Sequence, residues 1–484
     1  MKYSSTRDQN LIISGTKAIL DGLAKDGGLV IPESFPRLDL DQIKDYDFKR
    51  LMVEILHRYF QEFDQKDLID MVDQAYLNTF DHKDIVPLSL CNDIYLLELY
   101  HGPTAAFKDI ALSILPYLMA HAKKKLNITE ITHILTATSG DTGSAALAGF
   151  KDIEGFTLTV FYPSVGISEI QKRQMTTIQG KNIKVFGING NFDDAQAALK
   201  DIFNRSTEFK LTLSSANSIN IGRLIPQMAY YFKAYFDLIK LNKIHLGDKV
   251  SFSIPTGNFG NILAAYFAAL SGLPIKSLIC ASNENRVLTD FIQSGIYDRN
   301  RDFHQTSSPS MDILVSSNLE RLLCLLSDRD DELVKELMNQ LDSKGSYKVP
   351  EFIYQRLNEI FIGQSVDQHT VESTIKLIYE SCGILIDPHT AIAVKAAQDH
   401  ISEEPMIVCA TASPFKFPTT VLKALGKDGD TDDFISLEKL SSLSHQKCPI
   451  HLSHLRDATI RHPLTVNKEA LVALVKLKEH HDHD

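Results

Sequence analysis

The sequence of 484 residues contains no tryptophan, six cysteines and no unbroken hydrophobic run longer than the nine residues 262–270. A membrane-spanning helix needs about 20 apolar residues, so no such span is expected. Cys91, Cys280, Cys324, Cys382, Cys409 and Cys448 lie far apart, and no two form a CxxC pair. That spacing predicts reduced, mostly buried thiols rather than a disulfide framework or a zinc knuckle, and no metal site is expected. A basic excess is missing as well: 50 Lys+Arg stand against 61 Asp+Glu, a net charge of −11. Nucleic acid is therefore not an expected partner, although a local basic pocket for a phosphorylated metabolite is compatible with the balance. Residues 1–7 carry no apolar leader segment, which together with the thiols predicts a cytoplasmic protein. What is present is ordinary core material, 44% hydrophobic, so wholesale disorder is excluded.

The first 90 residues read mainly as helices, with apolar residues at helical spacing over 15–24, 48–60 and 67–80. From about residue 130 short strands feed helices. Strands are predicted over 133–138, 157–162, 183–188, 250–254, 275–281 and 406–410, and helices over 110–125, 144–150, 192–203 and 262–270. That alternation predicts an α/β protein of parallel sheets covered by helices. The charged stretch 318–382 reads as a helical insertion. The expected division is a mostly helical region 1–90, a first α/β lobe 91–245, a second lobe 246–430 and a C-terminal segment 431–484.

Three strand-to-helix turns share one design: Thr136-Ala-Thr-Ser-Gly-Asp-Thr-Gly143, Pro255-Thr-Gly-Asn-Phe-Gly-Asn261 and Ala410-Thr-Ala-Ser-Pro-Phe-Lys-Phe417. Ligands of α/β sheets bind where such turns sit. In the second turn Gly257 and Gly260 let the backbone approach closely, and the helix after it offers N–H groups to an anion. Neither the dinucleotide nor the Walker spacing applies. Lys108 follows apolar residues 105–107 at a predicted helix start. Apolar surroundings depress a lysine's proton affinity and free its amine as a nucleophile, while position alone favours a solvated lysine paired with Asp109.

His101-Gly-Pro-Thr-Ala-Ala-Phe-Lys-Asp109 resembles the cofactor-lysine motif of the threonine synthase family. Thr138-Ser-Gly-Asp-Thr-Gly-Ser-Ala145 and Pro255-Thr-Gly-Asn-Phe-Gly-Asn261 resemble two further signatures. Weaker similarities are Tyr3-Ser-Ser-Thr-Arg7, Gly22-Leu-Ala-Lys-Asp-Gly-Gly-Leu29, Gly190-Asn-Phe-Asp-Asp-Ala195, Ser215-Ala-Asn-Ser-Ile-Asn-Ile221, Ser308-Pro-Ser-Met-Asp-Ile313 and Asp387-Pro-His-Thr-Ala391. They run in the family's order over nearly the whole chain. The resemblance implies the tryptophan-synthase-β-like fold, pyridoxal-phosphate fold type II, with two parallel-sheet lobes and the cofactor between them. It implies pyridoxal 5'-phosphate bound covalently through Lys108 as an internal aldimine. Gly257, Asn258, Phe259, Gly260 and Asn261 would wrap its phosphate, and Thr411 would meet the pyridine nitrogen. Ser139, Asp141 and Thr142 would lie over the substrate carboxylate or near the cofactor's phenolic oxygen. Two departures stand out: Ser413 and Phe415 replace the family's His and second Ala, and Asn261 replaces a frequent Asp.

The implied reaction converts O-phospho-L-homoserine and water to L-threonine and phosphate, with monomer and homodimer both open. Two phosphates in one cleft require a second cationic site. Arg223 is the first candidate, ahead of Lys172, Arg173 and Lys416. A sibling eliminase, lyase or dehydratase using the same cofactor and a non-catalytic phosphometabolite binder are the alternatives. His389 reads as a turn residue. Asp193-Asp194 and Asp432-Asp433 read as solvated acids, and the tail His480-His-Asp-His-Asp484 reads as a solvated chain end.

Overall fold

The computed structural model describes residues 1–138, 140–164, 166–190, 195, 199, 202 and 212–467. The β-branched and apolar runs near 133, 157 and 183 form the strands Thr132–Ala137, Phe156–Pro163 and Ile183–Ile188. With Thr212–Ser215 and Thr465–Val466 they make a wholly parallel five-stranded sheet among the described residues, in which 183–188 follows 156–163 and 212–215 flanks 132–137 on its other side. A second, six-stranded sheet runs in the order Phe361–Ser365, Ile275–Ser282, Val250–Pro255, Met406–Ala410, Ile94–Glu98, Leu88–Cys91, parallel except for its last pair. Val250–Pro255, at the centre of this sheet, is buried along its whole length, as expected for a strand covered on both faces. The α/β architecture with two parallel-sheet lobes is therefore observed.

Four features differ from the sequence-based expectation. The N-terminal region does hold the helices Gly15–Asp21, Phe48–Tyr59 and Gln65–Tyr76, but also a small antiparallel sheet of Lys2–Ser5, Ile13–Ser14 and Val30–Pro32. Strands of two to four residues are too short to show a period. The expected boundary at residue 90 falls inside the hairpin Leu88–Cys91/Ile94–Glu98, which belongs to the second sheet. The stretch 318–382 is helical over Leu319–Leu326, Asp331–Lys344, Glu351–Asn358 and Gln368–Cys382, yet Phe361–Ser365 within it supplies the sheet's edge strand. The C-terminal segment is woven into the first lobe through Thr465–Val466. The predicted helix 192–203 lies largely outside the described residues. Ser139, Asp193-Asp194 and the tail 480–484 lie outside them as well.

One expectation is overturned outright. Cys91 and Cys382 form a disulfide with Cα atoms 5.7 Å apart. It joins the end of the edge strand Leu88–Cys91 to the end of the helix Gln368–Cys382. The partners are 291 residues apart, a separation that leaves no local spacing signature. Cys280, Cys324 and Cys409 are free and buried, as expected, and Cys448 is free and half-buried.

The helix Lys108–Lys125 links the lobes to the site. Its Ala, Leu and Ile content favours the helix, and three lysines in its last turn complement the dipole there. Pro116 cannot donate to the Leu112 carbonyl. That carbonyl faces Gly149 of the helix Asp141–Phe150, where any Cβ would collide with it. The two helices therefore pack closely enough to bring their first residues, Lys108 and Asp141, together.

Candidate active site

Five strand ends converge on one cleft. Lys108 follows Ile94–Glu98, Asp141 follows Thr132–Ala137, Arg223 follows Thr212–Ser215, residues 256–261 follow Val250–Pro255, and Thr411 follows Met406–Ala410. All five contribute to the cleft lining, the position that parallel sheets reserve for ligands.

Local geometry presents the lysine. Ala105 is held in the left-handed region at φ 56°, a conformation that costs a non-glycine residue about 1 kcal/mol or more. Hydrogen bonds hold it there. Ser413 N–H donates to the Ala105 carbonyl at 3.0 Å, and Phe107 N–H donates to the Thr411 carbonyl at 2.9 Å. Asp109 does not pair with Lys108. Its carboxylate instead accepts from Thr104 N–H at 2.8 Å and from the Thr104 hydroxyl at 2.5 Å, and burial pushes it up to about 6. Lys108 reaches Asp141 Oδ2 and Ser310 Oγ, each at 3.3 Å. Its side chain is 11% exposed. Burial lowers its proton affinity; Asp141 opposes that shift, and the charges of Lys416 and Arg223 reinforce it. The solvated lysine paired with Asp109 is thus not what forms.

Asp141 is the hub. Its Oδ1 meets Lys416 Nζ at 2.7 Å and Gln171 Nε2 at 2.9 Å, and its Oδ2 accepts from Ser310 Oγ at 3.2 Å. Burial alone would raise this carboxyl, but Lys416, Lys108 and His389 outweigh it and hold the group well below the carboxylate range. An anion so held repels a second carboxylate placed beside it. Thr142, one residue further along the helix, also lines the cleft.

The turn 256–261 is shaped for an anion. Phe259 sits in the left-handed region at φ 58° and turns the chain into the helix Gly260–Leu270, whose first N–H groups have no partner within the helix. The Asn258 carbonyl accepts from Asn318 Nδ2 at 2.9 Å, and Arg321, fully buried, donates to Asn318 Oδ1 and at 2.9 Å to the Val30 carbonyl. The small N-terminal sheet thereby braces the turn. Asn261 Oδ1 accepts from the hydroxyls of Tyr230 and Tyr231. Its Nδ2 is buried without a hydrogen-bond partner among the described residues.

Arg223 is 2% exposed. It donates to the Ala216 carbonyl at 2.6 Å, while its Nε has no partner among the described residues. Burial pushes the guanidinium down to about 10. Of the other cationic candidates, Lys172 and Arg173 pair with Glu169 at 3.7 and 3.4 Å and do not line the cleft. Lys416 has no exposed side-chain surface and is committed to Asp141. Ser413, in place of the family's His, caps the turn before Lys416 by accepting from Phe415 N–H at 3.3 Å.

Two cleft residues escaped the sequence reading. His389 lines the cleft rather than merely shaping a turn. Its Nδ1 bonds Asp387 Oδ2 at 2.6 Å, and its Nε2 accepts from Ser310 N–H at 3.3 Å. Ser310 is delivered by residues 306–312, which Asn283 and Asp312 lock through a side-chain network. Both residues lie inside similarity segments, which was the available signal.

A lysine amine of lowered proton affinity faces an anion cradle, and buried donors on Asn261 and Arg223 await an acceptor. Those residues fit pyridoxal phosphate, and with the fold they define a pyridoxal-phosphate-dependent enzyme. Comparison with known proteins agrees: residues 84–411 match the family described as pyridoxal-phosphate dependent enzyme, residues 2–76 the threonine synthase N terminus, and residues 390–475 the threonine synthase C-terminal region. The chain belongs to the threonine synthase family. It is 39% identical over 431 residues to threonine synthase of Pseudomonas aeruginosa, covering 88% of this chain and 90% of that protein. It is 41% identical over 434 residues to threonine synthase-like 1 of Macaca fascicularis, covering 85% of this chain. It spans only 58% of that relative's length. The solved structure of pyridoxal-phosphate-bound threonine synthase from Brucella melitensis superposes with a TM-score of 0.89 at 35% identity, covering both chains fully. The yeast threonine synthase structure gives 0.88 at 35% identity, covering 99% of this chain and 98% of that one.

Proposed function

We propose that this chain converts O-phospho-L-homoserine and water to L-threonine and phosphate. The observation that carries the reading is the charge arrangement of the cleft. Lys108 and Lys416 face one anion, Asp141, and Arg223 adds a further cation to the lining of the cleft, which leaves a surplus of positive charge beside a phosphate cradle. A non-catalytic binder of a phosphometabolite has no use for an amine of lowered proton affinity at the centre of that cleft.

Lys108 would hold the cofactor, and its amine is the group suited to move protons at Cα and Cβ of the substrate. Residues 257–261 bind the cofactor phosphate through N–H groups and the Asn261 amide. Thr411, which lines the cleft, would offer its hydroxyl to the pyridine nitrogen. Arg223 offers its free Nε to the substrate phosphate, a charge-assisted contact that also removes the cost of a buried, incompletely paired guanidinium. Thr142 and Ser139 bind the substrate carboxylate, with Asp141 kept for Lys108. Pyridoxal phosphate, when bound, supplies the electron sink that permits loss of phosphate from Cγ.

The same proposal places the chain in the cytoplasm, with a small-molecule substrate as its partner. No helix among the described residues is long and apolar enough to cross a membrane. The buried free thiols support this placement, and the Cys91–Cys382 bond pulls against it.

The test is a paired product assay on purified protein with pyridoxal phosphate and O-phospho-L-homoserine, following phosphate and threonine together. Equal yields are expected. Phosphate accompanied by a keto acid would assign a lyase on the same site, and no phosphate at all would reopen the substrate.

A further inference from the structure

Lys416 is the cleft's unexplained charge. Its ammonium has no exposed surface, lies 2.7 Å from Asp141 Oδ1 and donates to the Thr104 carbonyl at 2.9 Å. Reaching a substrate would mean abandoning both partners inside the protein. Asp141 in turn faces Lys416 and Gln171 with one oxygen, and Lys108 and Ser310 with the other. Two lysines therefore share one buried carboxylate, on opposite oxygens.

We infer that Lys416 is a positioning residue for Lys108: it holds the Asp141 carboxylate turned toward the amine and offsets the carboxylate's charge there. A carboxylate buried with a single ammonium forms a closed pair that locks the proton on the amine. With Lys416 on its far oxygen, Asp141 is already neutralised, and Lys108 gives up its proton without stranding a buried anion. The arrangement keeps Asp141 aligned beside Lys108 while the lysine's own charge comes and goes. The groups facing Lys108 are Asp141, Lys416, Arg223 and the Ser310 hydroxyl. Those facing Asp141 are Lys416, Lys108 and His389, and Lys416 also faces Asp109. The inference rests on the reading that Lys108 is the amine that captures the cofactor.

The test measures the rate at which the full-length protein, freed of cofactor, captures added pyridoxal phosphate. The rate is followed by the visible absorbance of the lysine-bound cofactor as a function of pH. Lys416→Met removes a cation and should move the pH midpoint of capture up by about one to three units, whereas Asp141→Asn should move it down by a similar amount. The double variant Asp141→Asn/Lys416→Met should return close to the parent. Capture that weakens at every pH without a moved midpoint would show a packing role only and overturn the inference. If Lys416→Met does not fold, the comparison of Asp141→Asn with the double variant still decides. Equal midpoints in those two would mean that Lys416 exerts no influence on the amine. Lys108→Ala separates the two readings. Capture persisting in Lys108→Ala would overturn the role of Lys108 itself, whereas capture lost there with unmoved midpoints in the others would overturn only the role of Lys416.

Discussion

A Cβ placed on Gly257 would lie 2.5 Å from the carbonyl oxygen of Ser310 and 3.3 Å from the Cα of Met311. The glycine is therefore required by the segment that brings the Ser310 hydroxyl within 3.3 Å of Lys108 Nζ, in addition to any approach of a phosphate. Backbone cannot rotate out of the way as a side-chain tip can, and residues 306–312 are pinned by Asn283 and Asp312. Gly257→Ala is expected to cost about 1–3 kcal/mol through overpacking and to weaken pyridoxal phosphate binding as Ser310 moves. Thermal unfolding and a cofactor titration check both, and a variant unchanged in both would show that the 306–312 segment yields freely.

Lys108 is held at a cost, because burial disfavours its charged form. Asp141 keeps Lys416 as counter-ion when Lys108 is removed. Lys108→Ala is therefore expected to fold with a melting temperature close to that of the cofactor-free parent, while turnover falls by at least about 10²-fold. The proton-binding sign gives a second check. A lysine whose folded value lies below its unfolded one penalises folding increasingly as pH falls. The variant should gain on the parent as pH falls below 10.5, the gain levelling off once Lys108 is protonated in the folded protein as well. A variant that loses stability at every pH would contradict the stored cost.

The legible parts of this molecule were those with a local pattern. Met406–Ala410 was readable to the residue because a continuous apolar run ends at a turn, and Ile183–Ile188 because a β-branched and aromatic run, broken only by Lys184 and Gly187, does the same. Ile94–Glu98 was not: Ile-Tyr-Leu-Leu-Glu pairs with Met406–Ala410, more than 300 positions away, and nothing nearby announces that partner. The site shows the same division. Lys108, Gly257 and Thr411 lie in recognisable motifs, and the structure brings them into one cleft. The destinations of Lys416 and Asp141 depend on how two helix starts and a distant turn meet, which composition does not record. Lys416 therefore stood only among the candidates behind Arg223 for a substrate cation, and the structure makes it a buried partner of a carboxylate.

The Cys91–Cys382 bond closes a loop with a sequence separation of 291, which takes in the whole stretch 91–245 and the second lobe as far as Cys382. Long loops lose the most unfolded-state freedom when closed, so Cys382→Ser is expected to cost about 2–5 kcal/mol in the absence of reductant. The parent should lose a similar amount when reduced. Alkylation in denaturant without reductant should label four of the six cysteines, and labelling of all six would show that the protein carries no such bond. The bond ties the sheet edge to the helix that ends five residues before Asp387, the partner of His389. Reduction is thus also expected to lower activity by loosening that approach to the cleft.

His101, at the head of the lysine motif, lies between two acids, with Nδ1 2.7 Å from Asp81 and Nε2 2.9 Å from Glu98. Burial favours its neutral form, but the hydrogen bonds and charges of Asp81 and Glu98 outweigh burial and raise it from 6.5 to about 9. Both ring nitrogens can donate only in the imidazolium, so the doubly bridged geometry exists for the charged form. A histidine raised on folding adds stability that is fully present below pH 6.5 and is lost as pH rises through about 9. The melting temperature of the parent should therefore fall across that window. His101→Gln should start lower at pH 6, fall less steeply, and meet the parent curve above about pH 10. Parallel curves for parent and variant would mean that the charge on His101 contributes nothing, and that the turn before Lys108 is held by its backbone bonds alone.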